Sequence, residues 1–125
     1  MSEEVYLAGA TRTPVGSFQG QLAGFTAPEL GAHAIRNALQ AAQIDAERVD
    51  EVVFGNVVSA GLKQAPARQA MRIAELPDSC GATTINKVCG SGMKTAMLAS
   101  DLIRAGSASC VVAGGMESMS NAPYI

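Results

Sequence analysis

The chain has 125 residues, of which 48% are hydrophobic, with a net charge of −2 at pH 7 and a pI near 5.3. That length supports one ordinary domain with one core, and the hydrophobic content excludes a disordered chain. The acidic balance lacks the basic footprint of a nucleic-acid binder, and the scattered Lys and Arg residues form no membrane-surface patch.

Every apolar run is interrupted by Lys, Asp or Arg before the roughly 18 residues that a membrane span requires. The start, Met1-Ser2-Glu3-Glu4, is acidic and shows no charged-then-apolar leader. Three cysteines make an odd count that does not suggest a disulfide framework, so a reducing cytoplasm is the expected compartment. Thirteen glycines and no tryptophan point to close packing through small side chains, with few aromatic platforms for stacking on bases.

In chain order, Glu4 to Ala10 reads as a first strand, apolar on both faces as in a covered parallel sheet. Pro14 and Gly16 end it, and a loop runs to Phe25. Thr26-Ala27-Pro28-Glu29 is a helix start, with Thr26 as cap, Pro28 in the first turn and Glu29 completing a capping box. The amphipathic helix that follows extends to about Ala42, with His33, Arg36, Asn37 and Gln40 on its polar side. Glu51 to Val58 reads as the second strand, Ala65 to Ala74 as the second helix, and Ala82 to Val88 as the third strand. A third helix is expected from Gly90 or Ser91 to Ala105, closed by Gly106, and a fourth strand from Ser109 to Met116.

The order β-α-β-α-β-α-β implies an α/β fold with a mostly parallel sheet and right-handed crossovers. The third helix is apolar most of the way round, which suggests burial on more than one side as a central helix. The remaining elements cannot easily cover it. Together with the end at Pro123-Tyr124-Ile125, this leads us to expect that the chain is part of a longer polypeptide.

Chemistry concentrates at Ile85-Asn86-Lys87-Val88-Cys89-Gly90-Ser91-Gly92-Met93-Lys94, where a strand breaks at a cysteine and turns into a helix. Unpaired N–H groups and the macrodipole at a helix start favour negative charge, which lowers a thiol pKa. A free cysteine is most often a small buried hydrophobe. Gly90 and Gly92, however, permit sharp turning and close backbone approach by a ligand, which a core cysteine does not require. Backbone N–H groups at such a turn can also supply an oxyanion donor. His33 falls on a polar helix face, and Asn56 reads as a structural hydrogen-bonding residue. Cys80 and Cys110, 9 residues before and 21 after Cys89, have no zinc spacing and read as structural. Gly114-Gly115 opens no helix and forms no dinucleotide fingerprint. Met71, Met93, Met97 and Met116 read as core or interface filler.

The segment around Cys89 resembles the nucleophile segment of thiolases, the acetyl-CoA acetyltransferases. Ala10 to Phe18, Gly55-Asn56-Val57 with Pro66 to Ala70, and Ala113 to Ser120 resemble further segments of that family, in the same order. Ketoacyl synthases share the fold but resemble a Cys-Ser-Ser run at the nucleophile, unlike Cys89-Gly90-Ser91-Gly92. The resemblance implies a thiolase-like layered fold, with residues 1–117 as a partial N-terminal α/β domain and 118–125 as the start of a loop region. It implies that Cys89 is the acyl-carrying nucleophile, its backbone N–H an oxyanion donor, and acetyl-CoA or CoA the substrate, with no metal and no organic cofactor. It also implies partners: the remainder of the polypeptide, and further copies in a homodimer or homotetramer. Thiolases resemble two fused copies of this unit. The second copy carries Asn-Glu-Ala-Phe, Gly-His-Pro and Cys-x-Gly segments, whose histidine and second cysteine act as base and acid. None of these segments occurs here, so the chain alone is expected to be inactive. The competing readings are another condensing enzyme of the superfamily and a non-catalytic subunit in which Cys89 is a vestige.

Overall fold

The computed structural model describes residues 4–124. Met1 to Glu3 of the acidic start, and Ile125, lie outside the described residues. Helix α1 (Ala27–Ala42) leads through a short 3-10 turn (Ala46–Arg48) to strand β1 (Glu51–Gly55), helix α2 (Pro66–Ile73), strand β2 (Gly81–Ile85), helix α3 (Ser91–Arg104) and strand β3 (Val111–Gly115). A second 3-10 turn covers Met119–Asn121.

The three strands form one parallel sheet in the order β2-β1-β3. Glu51 stands beside Gly81 and Val111, and Gly55 beside Ile85 and Gly115, so all three strands end at the same level. Alternation along β1 divides its side chains between two layers. Val52 and Phe54 join Ala32, Ile35, Ala67, Ala70 and Met71 in the main core beneath α1 and α2. The opposite face carries Val53, Gly55, Ala113 and Gly115 and receives α3 through Ser91, Thr95 and Ala99, four residues apart. Small residues on both sides of that contact bring the helix close to the sheet.

The expected helix boundaries have local causes. Thr26 accepts from the Glu29 N–H at 3.3 Å, and the Glu29 carboxylate accepts from the Thr26 N–H at 3.0 Å, a complete capping box. At the far end of α3, Gly106 adopts φ +79° while its N–H donates to Ile103 and that of Ser107 to Leu102. This is a Schellman closure, and it needs glycine's left-handed freedom.

Three expectations are corrected or refined. Glu4 to Ala10 is not a strand: among the described residues, positions 4–16 make no backbone-to-backbone hydrogen bond, and Tyr6 and Leu7 are exposed. The segment instead follows α1, where Thr11 Oγ1 donates to the Ala34 carbonyl at 3.0 Å. It is separated from β3 by an apolar groove of about 1580 Å³. Without an adjacent strand to pair with, β-branched and aromatic residues do not make a strand on their own. Second, the burial of α3 on more than one side is not reached within this chain, in keeping with the expected lack of covering elements: Ser91, Thr95 and Ala99 are buried, but Met93 is 75% exposed and Met97 54% exposed. Third, the strands are shorter than expected. β1 and β2 stop at Gly55 and Ile85, and just past these ends the Asn56 and Asn86 side-chain amides donate to neighbouring backbone carbonyls.

Candidate active site

The aligned strand ends build one edge of a small open cleft. Gly55, Asn56, Val57, Val88, Cys89, Ser91, Gly92, Gly115, Met116 and Glu117 line it, with a volume of about 290 Å³. Cys89 is its exposed thiol.

The turn that presents Cys89 is tightly specified. Val88 takes φ +50°, a left-handed conformation that a β-branched residue adopts at a cost of about 1–3 kcal/mol. Ser91 repays part of this. Its hydroxyl accepts from the Lys87 N–H at 2.9 Å and donates to the Val88 carbonyl at 2.6 Å, closing the turn from inside. The Gly90 and Ser91 N–H groups donate to Lys87 and Val88. Among the described residues, the Cys89 N–H carries no such bond. Cys89 thus lies one residue before the α3 N-cap, Gly90, with a backbone donor beside its sulfur.

The cleft floor is polar. Asn56 is 1% exposed, and its amide donates to the Met116 carbonyl at 3.2 Å and to Glu117 Oε1 at 3.0 Å. The other Glu117 oxygen accepts from the Val57 N–H at 2.9 Å, and Oε1 accepts again from the Val58 N–H at 3.2 Å. The carboxylate therefore ties the segment after β1 to the segment after β3. Asn56 has the structural role expected from the sequence, but it shares the cleft with Cys89.

The other two cysteines differ in environment. Cys80 is buried at 2% exposure, and burial, then the Glu51 and Asp50 carboxylates, push its thiol up to about 11. Cys110 is half-buried, and burial followed by Asp50 raises its pKa too. Both are held as thiols at neutral pH. His33 lies on the exposed side of α1, against Asn37, and does not line the cleft. Among the described residues, no group of three His, Cys, Asp or Glu side chains could hold a metal, and no helix is long and apolar enough to cross a membrane.

Sequence reasoning did not single out Glu117 or Ser91. The signal for Glu117 lay in the register. Glu117 stands two residues past Gly115, whose partner Gly55 immediately precedes Asn56, so the two polar residues emerge together at one sheet end.

The domain is thus a parallel α/β sheet whose carboxyl edge carries a cysteine followed by a Gly-Ser-Gly turn. The family model for the thiolase N-terminal domain matches residues 5–125, and the chain belongs to that family. It is 54% identical over 123 residues to an acetyl-CoA acetyltransferase of Pseudomonas aeruginosa, covering 98% of this chain and 31% of that protein. With the mitochondrial acetyl-CoA acetyltransferase of Danio rerio it shares 55% identity over 122 residues, covering 98% and 29%. The crystal structure of Acat5 thiolase from Ascaris suum in complex with coenzyme A superposes with a TM-score of 0.89 at 42% identity, over 91% of this chain and 30% of that one. The chain thus spans less than a third of the length of each of these proteins.

Proposed function

We propose that this domain is the nucleophile-bearing part of a thiolase and that Cys89 carries the acyl group. The observation that supports this most is the exposure of Cys89, alone among the three cysteines, on a turn at the amino end of α3. Family membership and likeness to acetyl-CoA acetyltransferases narrow the chemistry to acyl transfer with CoA thioesters.

The Cys89 thiolate attacks the thioester carbonyl of acetyl-CoA. The carbon–sulfur bond to CoA breaks, CoA leaves as a thiolate and takes up a proton, and an acetyl-Cys89 thioester remains. The oxyanion formed on the way faces the Cys89 N–H. A second acetyl-CoA, deprotonated at its methyl carbon, then attacks the acetyl-Cys89 carbonyl. The new carbon–carbon bond gives acetoacetyl-CoA and releases the Cys89 thiolate; thiolysis is the reverse. Within the cleft the charged side chain is Glu117, and it is committed to three N–H donors, so the groups that move protons come from further chain. The groove beside β3 and the exposed methionines of α3 are surfaces for that chain to cover. In this reading residues 1–117 form the partial domain and 118–125 lead out of it, the assembled protein is a homodimer or homotetramer, and its compartment is the cytoplasm.

Peptide mass mapping after alkylation tests the assignment. In the assembled protein Cys89 is expected to react faster than Cys80 and Cys110, and acetyl-CoA to protect it. Equal labelling of the three thiols would remove Cys89 from the role. The isolated 125-residue chain is expected to show no acetoacetyl-CoA cleavage.

A further inference from the structure

Val88, the residue before Cys89, is linked to a carboxylate two elements away by hydrogen bonds that pass through Asn86 and the Val57 backbone. Glu117, just past β3, accepts from the Val57 and Val58 N–H groups at 2.9 and 3.2 Å and so fixes the segment after β1. The carbonyl of Val57 accepts from the Asn86 amide at 3.4 Å, the longest link in the series. The Asn86 Oδ1 accepts from the Val88 N–H at 2.9 Å. Val88 is the residue at φ +50° immediately before Cys89. The turn holding the thiol is therefore braced twice, by Ser91 from the helix side and by Asn86 from the sheet side.

A left-handed valine persists only where its surroundings over-determine it. The Ser91 brace is local to the turn, whereas the Asn86 brace refers its position to β1 and, through Glu117, to β3. We propose that Glu117 is a positioning residue for the acyl-transfer nucleophile, acting through Val57 and Asn86 to hold the Val88–Cys89 turn in its reactive geometry. This rests on the reading of Cys89 as the nucleophile. Glu117 touches neither the thiol nor its substrate in this scheme. Its charge is used up on backbone donors, which fits a geometric role rather than proton transfer.

Charge and geometry predict opposite signs. Glu117→Gln removes a negative charge from the cleft that Cys89 shares, which by electrostatics alone favours the thiolate and speeds alkylation. Loss of the brace slows it. The experiment measures iodoacetamide alkylation of Cys89, Cys80 and Cys110 by peptide mass mapping in the full chain, with Glu117→Gln, Asn86→Ala and the double variant beside wild type. Glu117→Gln and Asn86→Ala are each expected to slow Cys89 about tenfold at pH 7.5 while Cys80 stays protected. The double variant is expected to be no slower than the slower single one, because members of one series are not additive. An unchanged or faster Cys89 in either single variant overturns the proposal. Should Glu117→Gln expose Cys80 and so lose the fold, Asn86→Ala decides alone, since Asn86 is exposed and lies outside the core. A wild-type Cys89 no faster than glutathione would instead defeat the nucleophile reading, an outcome distinct from a fast Cys89 that is indifferent to both variants.

Discussion

Gly55, the last residue of β1, lies so close beneath Ser91, the first residue of α3, that a Cβ at position 55 would stand 2.6 Å from the Ser91 Cβ. The Ser91 hydroxyl in turn holds Lys87 and Val88. The absence of a side chain on the central strand therefore sets the height of the cysteine turn above the sheet.

Gly55→Ala is expected to destabilise the domain by about 1–3 kcal/mol, the cost of overpacking a filled contact. The Ser91 Cβ cannot retreat without lifting the start of α3. Gly92 is the control, because a Cβ there would meet nothing within 4 Å. Gly92→Ala lies within the first turn of α3 and is expected to leave stability equal or raise it by up to about 1 kcal/mol. Urea denaturation of the two variants beside wild type checks both. The open space over Gly92 adjoins Cys89, so Gly92→Ala is further expected to slow acetylation of Cys89 in the assembled protein although it does not destabilise it.

Val88 separates stability from function in the same way. It is 64% exposed at φ +50°, so its side chain adds little burial and its backbone carries strain. Glycine removes the strain, worth about 1–2 kcal/mol, and loses about 0.5–1 kcal/mol to the greater freedom of the unfolded chain. Val88→Gly is expected to fold with wild-type stability or slightly more. The same change frees the turn, so Cys89 alkylation is expected to slow. A clear loss of stability on thermal melting would mean that Val88 is packed rather than strained.

Two groups give the domain opposite pH limits. The Asp50 carboxylate accepts from the Ser109 N–H at 2.7 Å and the Cys110 N–H at 3.1 Å, and these two backbone bonds hold its pKa below the ordinary 3.8. A depressed carboxylate stabilises the fold above its unfolded value and ceases to do so as pH falls through the folded one. Stability is therefore expected to decline below about pH 4, and Asp50→Asn to flatten that decline. Cys80 is raised from 9.0 to about 11 by burial, then by Glu51 and Asp50. Its contribution is complete below 9 and is lost as pH rises from 9 to 11, because the unfolded thiol ionises first. Cys80→Ala is expected to remove that alkaline slope whatever it does to stability at pH 7. Denaturant midpoints measured across both ranges decide.

The parts of the fold legible in the sequence were those fixed by neighbours along the chain. The Thr26–Glu29 box and the Gly106 closure depend on residues three to five apart and stand as read, while the turn into α3 lies where expected but follows a strand that ends at Ile85. What distant partners decide was not legible. Residues 4–10 have strand composition but no adjacent strand, and the apolar surface of α3 gave no indication of which side the sheet would cover. In the cleft, the exposed position of Cys89 follows from the Gly90-Ser91-Gly92 turn beside it, which the sequence showed. Glu117 was hidden because its three donors are 59 to 61 residues away, and only the parallel register brings them together.

The segment of residues 4–16 allows the sharpest test of what this chain leaves uncovered. β1 is bonded on both sides, by β2 and by β3, whereas the outer edge of β3 faces the groove and the N–H groups of residues 4–16 form no backbone-to-backbone hydrogen bonds among the described residues. Amides without partners exchange at the rate of an open chain, and amides of a central strand exchange only through large-scale opening. In the isolated chain, hydrogen exchange is expected to be complete within seconds over residues 4–16 and slower by at least a thousandfold over Val52 to Phe54, a protection of about 4 kcal/mol. In the assembled protein, residues 4–16 and β3 are expected to gain protection together, because one covering strand filling the groove would bond the edge of β3 and bury Tyr6 and Leu7. Protection of β3 with residues 4–16 still exchanging freely would place the covering chain elsewhere.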